Sequence, residues 1–205
     1  MCGRYSLQRT LENLKNRYGV STEQVSFSPR PEIFPSNEAP VVIAPGEENR
    51  QLKLFHWGFS PSFASTLIIN ARGETIEKKA TFKKSFYNKR CLVPADAFFE
   101  WKNTGDGKVK YKISLKNRPL LSMAGIYDTF KDENGNQIPS FCIVTIAAAE
   151  KLEPIHNRMP VILSPEQEKT WLNPHEKNII PLKKCLAPNI YPTNDMLQLI
   201  PDPGQ

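Results

Sequence analysis

The chain has 205 residues, 40% of them hydrophobic and 23% charged, with a formal net charge of +6. That composition supports one domain with a buried core and excludes wholesale disorder, and no apolar run approaches the ~18–20 residues that span a bilayer. The opening Met-Cys-Gly-Arg-Tyr-Ser has no apolar stretch of the kind a signal peptide needs, so a cytoplasmic protein is expected.

In chain order, the first predicted element is a short helix from Thr10 to Gly19. Thr10 can cap it, Leu11, Leu14 and Tyr18 share a face, and Gly19 can end it. Pro40–Ala44 is a short apolar strand. Gln51–Phe59 alternates, with Leu52, Leu54 and His56 on one face. Glu74 to Phe82 is a second helix candidate. Val109–Leu115 alternates, with Val109, Tyr111, Ile113 and Leu115 inward and Lys110, Lys112 and Ser114 outward. Leu120–Tyr127 and Phe141–Ala147 read as buried strands, and Asp132-Glu133-Asn134-Gly135 supplies a hairpin turn between them. Ser164-Pro165-Glu166-Gln167 resembles a capping box that opens a helix through Trp171. The 18 prolines favour loops and short elements. Together these runs indicate an α+β domain dominated by antiparallel sheet. Neither βαβ alternation nor a Gly-rich phosphate loop occurs, which argues against a dinucleotide-binding fold.

The positive balance fits a polyanionic partner, and equally a basic surface kept for solubility. Of the four cysteines none forms a C-x-x-C pair, and zinc-site spacing is absent. Cys91 and Cys142 lie in apolar segments and read as inert core thiols. Cys2 differs by position. Removal of Met1 leaves one residue with both an α-amine and a thiol. The amine, with a pKa of roughly 8, can attack an aldehyde, and the thiol can then close a five-membered thiazolidine. Such a residue is an aldehyde trap, or else merely an incidental second residue.

Four further segments bear on that choice. Gly3 permits close backbone approach and Arg4 can grip phosphate. Asn70 and Arg72 end an apolar strand, where they can bond a sugar oxygen and a phosphate or simply finish the strand. Glu100 lies between aromatics, which suits a raised pKa and proton transfer, or a structural ion pair. His156 and Arg158 share a proline-bounded segment, as an acid/base with a phosphate ligand or as structural residues. His56 and His175 read as structural.

The order M-C-G-R-Y, H-W-G-F-S-P, N-A-R-G-E-T, C-L-V-P-A-D-A-F-F-E-W-K and H-N-R-M-P-V-I-L resembles the SRAP family, the SOS-response-associated peptidase or abasic-site-processing proteins. The resemblance runs from Met1 to about Trp171. It implies a single compact, barrel-like α+β domain over residues 1–205, with 172–205 as an extension packed on it and a basic groove for single-stranded DNA. It implies that Cys2 forms a thiazolidine crosslink to the ring-opened abasic site. Asn70 would position the cysteine amine and the opened sugar, Glu100 would assist ring opening and the Schiff-base steps, and His156 would be the second proton-transfer residue. Arg4, Arg72 and Arg158 match phosphate-holding positions, and Trp57 with the Pro61 loop falls in the DNA-contacting segment. Two departures stand out: Phe63 replaces a second tryptophan, and acidic Glu38 lies in the segment from Pro35 to Pro40. No metal or organic cofactor is implied. The expected partner is single-stranded DNA with abasic sites, met by a monomer that joins the nucleoid when bound. Some lyase activity is expected where elimination precedes ring closure. Two other readings remain: a cysteine peptidase using Cys2 and His156, whose Met1 removal would be autocatalytic, and a non-catalytic single-strand-binding module.

Overall fold

A computed structural model describes residues 2–22, 25–46, 49–188 and 191–202. In chain order its elements are β1 (Tyr5–Leu7), α1 (Leu11–Tyr18), β2 (Arg30–Ile33), β3 (Glu38–Gly46), β4 (Asn49–Trp57), β5 (Asn70–Arg72), α2 (Ala80–Asn88), β6 (Arg90–Ala95), β7 (Ala97–Thr104), β8 (Gly107–Leu115), β9 (Leu121–Lys131), β10 (Gln137–Ala147), β11 (Arg158–Pro160), α3 (Pro165–Leu172), α4 (Ile179–Cys185) and β12 (Leu197–Pro201).

Five strands close a barrel. β10 pairs antiparallel with β9, β9 with β6, β6 with β3 and β3 with β4. β4 then returns to β10 in parallel register at Ser140↔His56 and Phe141↔Trp57. A second, antiparallel sheet has the order β12-β8-β7-β1-β2. One hydrophobic core joins the two, with Tyr5 and Phe98 from the outer sheet beside Trp57 and Phe141 from the barrel. Every residue of β10 from Ser140 to Ile146 is buried, so its sequence reads as a nearly continuous apolar run, as expected of a strand covered on both faces. The architecture is the α+β, sheet-dominated, barrel-like fold that the sequence and its resemblance led us to expect. No helix among the described residues is long and apolar enough to cross a membrane.

The capped helices form where the local signals put them. Thr10 and Asn13 make a reciprocal capping box at α1, and Gly19, at φ 65°, closes it in the left-handed region. Ser164 and Gln167 do the same at α3, with Pro165 in the first turn. In the β9–β10 hairpin the Asp132 carboxylate accepts from the Asn134 and Asn136 N–H groups, and Gly135 takes φ 84°.

Three expectations need revision. Residues 73–78 are turns, and the helix of this region begins only at Ala80. The Gly73 and Glu74 carbonyls accept instead from the Lys183 ammonium of α4, at 3.0 and 3.2 Å. In β4 the deeper face is Phe55 and Trp57, whereas Leu54 and His56 are half-buried. The aromatics win because they pack on Tyr127, Tyr5 and Phe141. Lys110 of β8 is not a solvated outward lysine: it lies over the Phe99 ring, with its ammonium shared between Glu32 and Asp202.

Candidate active site

β1 lies against β7 in the register Tyr5↔Phe98 and Ser6↔Ala97, and the Phe99 N–H donates to the Arg4 carbonyl at 2.9 Å. Continuing this antiparallel register toward the chain start sets Gly3 opposite Glu100 and Cys2 opposite Trp101. Cys2 is wholly buried, with Sγ 3.8 Å from the Arg4 carbonyl oxygen. Asn70 opens β5, which runs parallel to β10 with Asn70 beside Ile143. Its Nδ2 donates to the Cys2 carbonyl at 2.9 Å. The Oδ1 of the same amide is buried and has no hydrogen-bond partner among the described residues. An acceptor left dry in this way costs about 1–3 kcal/mol unless something donates to it.

Glu100 is 3% exposed, and burial pushes its carboxyl up to about 7. It is thus divided between acid and carboxylate at neutral pH, the condition that serves proton transfer in both directions. Burial, and then the nearby Glu100 charge, push the Cys2 thiol well above its ordinary range. Cys2 therefore carries S–H, not thiolate, at neutral pH. The structure thus joins Cys2 to Asn70 by a hydrogen bond and brings Glu100 within electrostatic reach of the thiol.

His156 approaches along the other edge of β10. The Arg158 N–H donates to its Nδ1 at 3.0 Å, which leaves the proton of the neutral ring on Nε2. Burial lowers its pKa, so the imidazole is neutral at pH 7 and can donate from that second nitrogen. The link between the two edges is Arg158. Its guanidinium grips both Glu74 oxygens, at 2.5 and 3.0 Å, and the Thr145 carbonyl at 2.7 Å. Thr145 stands between Arg72 of β5 and Pro160 of β11. Arg158 thereby fastens the His156 segment to the exit of the Asn70 strand.

Two of the expected DNA contacts have protein partners in the fold. Arg158 was expected to hold phosphate; here its charge is committed to Glu74, whose carboxyl it holds below the usual range. Trp57 was expected to meet DNA. It is 0% exposed, and its Nε1–H donates to the Ile69 carbonyl at 3.0 Å. Its ring stacks on Phe141 and meets Tyr5 edge-on, so it props up the Asn70 strand from inside the core. The apolar alternation Phe55, Trp57, Phe59 carried that signal in the sequence.

The remaining expected phosphate ligands differ in how available they are. Arg4 pairs with Glu32 at 3.1 Å, and its guanidinium lies over the rings of both Phe34 and Trp101. Arg72 is exposed and makes no salt bridge among the described residues. Trp101, which sequence reasoning did not single out, is half-buried beside Glu100; its place next to that carboxylate in the run Phe-Phe-Glu-Trp was the available signal. Phe63 is 73% exposed, as an aromatic that stacks on a base would be. His56 is held between the Ser36 carbonyl and Glu38, in keeping with a structural reading, and His175 is exposed. Cys91 and Cys142 lie wholly buried in the barrel, their thiols pushed up by burial. No group of three or more metal-ligating side chains occurs among the described residues.

The arrangement is chemically specific. It offers an S–H, a carboxyl poised near neutrality, a neutral imidazole donor and an amide that grips the backbone of the second residue.

Comparison with known proteins identifies the family. The family model described as SOS response associated peptidase (SRAP) matches residues 1–200. The abasic site processing protein YoqW of Bacillus subtilis (strain 168) is 35% identical over 204 residues, covering 96% of this chain and 90% of the relative. The abasic site processing protein YedK of Escherichia coli (strain K12) is 33% identical over 178 residues, covering 84% of this chain and 79% of the relative. A crystal structure of a protein from Bacteroides thetaiotaomicron superposes with a TM-score of 0.85 at 27% identity, covering 98% of this chain and 91% of that one.

Proposed function

The chain belongs to the SOS response associated peptidase (SRAP) family, and from that premise we propose that it processes abasic sites in single-stranded DNA by capturing the lesion's aldehyde on Cys2. The substrate class comes from the names of its relatives, abasic site processing proteins. The observation that carries the reading is the Asn70 amide. It holds the Cys2 carbonyl with Nδ2 and keeps Oδ1 buried without a donor. An amine N–H or a sugar hydroxyl at that position would complete it.

The chemistry proposed for Cys2 requires a free α-amine, and hence loss of Met1, which lies outside the described residues. Arg72 and Arg4 draw in the strand, with an affinity that falls as salt rises. An abasic site has no base to unstack, so its sugar reaches Cys2 without that cost. Glu100, half protonated, exchanges a proton with the sugar's O4′ and O1′ and opens the ring to the C1′ aldehyde. The Cys2 amine adds to that carbonyl, and loss of water gives the Schiff base. The thiol then adds across C=N: sulfur bonds to C1′, and the S–H proton reaches nitrogen through Glu100 or His156. Atoms balance with one water released. Elimination from the Schiff base before ring closure would cleave the strand instead, a minor lyase path. We place this activity in the cytoplasm.

The raised thiol pKa also bears on the peptidase reading. A cysteine protease attacks as thiolate, which needs a lowered pKa; the Cys2 thiol moves the other way. An amine-first attack does not need a thiolate.

The test uses single-stranded DNA with one abasic site. Wild type should give a denaturation-resistant adduct whose mass is the sum of the two less one water. Cys2→Ala should give none, and chains that keep Met1 should give none. Peptide turnover without an adduct would sink the proposal, as would equal binding of intact and abasic strands with no covalent species.

A further inference from the structure

We infer that Lys78, Lys79, Lys83 and Lys84, at and just before the start of α2, form a second binding surface for the phosphate backbone of the strand that leaves the site past Arg72. This rests on the proposal that the site acts on single-stranded DNA.

Asn70 and Arg72 are two apart in β5 and so share a face. Beyond Arg72 the chain folds back tightly: the Thr75 N–H donates to the Arg72 carbonyl, and the Lys78 and Lys79 N–H groups both donate to the Thr75 carbonyl. The lysines therefore begin beside Arg72, not at a remote point on the surface. All four are exposed, as is Arg72, and no Asp or Glu occurs between Lys78 and Lys89.

Acidic groups do lie close by, and each is already occupied. Glu74 is held by Arg158, Glu77 by Lys183 at 2.7 Å, and Asp128 by Lys89 at 2.5 Å. Among the described residues none of the four lysines makes a salt bridge. Lys78 and Lys84 feel the Glu77 and Asp128 carboxylates through space, but each of those carboxylates is directly bound by another lysine, so the run next to Arg72 keeps an excess of positive charge. It rides on a fixed support, because Phe82 packs on Phe59, Phe86 on Trp171, and Arg90 binds the Phe86 and Tyr87 carbonyls. Helix stability does not explain Lys79 and Lys83, which stand at the cap and first turn of α2 and oppose its dipole. A polyanion does explain them.

The test is the variant K78Q/K79Q/K83Q/K84Q, with affinity for undamaged oligonucleotides of ~20 and ~6 nucleotides measured against sodium chloride concentration. Each phosphate of a single strand that is no longer neutralised should reduce the slope of log K against log salt by about 0.7. On the longer strand the slope should therefore flatten by about 2–3, and on the short one it should not change. Adduct yield at saturating abasic strand should equal that of wild type, and so should the melting temperature. The K83Q/K84Q pair, expected to flatten the slope by about half as much, serves where the fourfold change disturbs folding. An unchanged slope on the longer strand overturns the inference even while wild type forms its adduct. A flattened slope with no wild-type adduct leaves this surface standing and removes the proposed chemistry instead.

Discussion

The surroundings of Cys2 and the barrel interior around Cys142 bury cysteine equally. Both side chains are inaccessible, and burial pushes both thiols well above their ordinary range. The difference lies in their company. Cys142 is surrounded by barrel side chains, and its thiol donates to backbone, reaching the Ile68 carbonyl at 2.5 Å. Cys2 has the Asn70 amide on its own carbonyl and the Glu100 carboxyl within electrostatic reach. Thiol acidity therefore does not set the proposed reactive cysteine apart. What distinguishes it is buried polar groups that the fold could have replaced with apolar ones and did not.

Exchanging the two cysteines for alanine is the strongest way to break that comparison. Cys2→Ala should abolish the DNA adduct. Cys142→Ala should leave the adduct rate of the folded protein within about twofold of wild type while lowering stability by about 1 kcal/mol, read by urea denaturation. Trp57 probes the wall between the two regions. Trp57→Ala should cost about 3–5 kcal/mol of stability, with DNA binding reduced only in proportion to unfolding, checked by binding at a temperature where the variant is still folded. A variant of full stability that failed to bind would return Trp57 to the DNA surface.

Glu100→Gln should slow adduct formation by about 100-fold and remove the change of rate near pH 7. Its effect on folding has a defined sign. Burial raises the folded-state pKa from 4.5 to about 7, so the contribution of Glu100 to stability is fully present below pH 4.5 and is lost as pH rises through about 7. Relative to wild type, the glutamine variant should therefore gain stability between those limits and hold that gain at higher pH, as followed by urea midpoints at pH 5, 6 and 8. The smallest effect belongs to the Arg158–Glu74 clamp. A double-mutant cycle with Arg158→Gln and Glu74→Gln should show a coupling of about 0.5–1 kcal/mol, since the Glu74 side chain is 49% exposed and screened. Glu74→Gln should also slow adduct formation, because the His156 and Asn70 segments lose their tie.

Local chemistry made much of the fold legible. The capping boxes of α1 and α3 and the Asp132–Gly135 turn need only neighbours in sequence, and they form where expected. The misplaced helix depends on Lys183, which reaches Gly73 across 110 positions and takes carbonyls a helix would need. No periodicity within the segment carries that information. The closing pair β4–β10 is equally non-local. For the site, the residue types and their order pointed to Cys2, Asn70, Glu100 and His156, but the substrate came from family resemblance. Charge alone could not separate Arg72, which is open, from Arg158, which is committed to Glu74. Both are arginines at strand ends, and only the fold decides which one meets a carboxylate.

The outer sheet joins distant parts of the sequence. Its order places β1, near the start of the chain, and β12, at Leu197–Pro201, in one sheet with β7 and β8 between them. The ion pairs repeat that span, from Arg4 to Glu32, to Lys110, to Asp202. The segment that carries Cys2 and the strand β12 are thereby bound into one sheet, although they lie far apart in sequence.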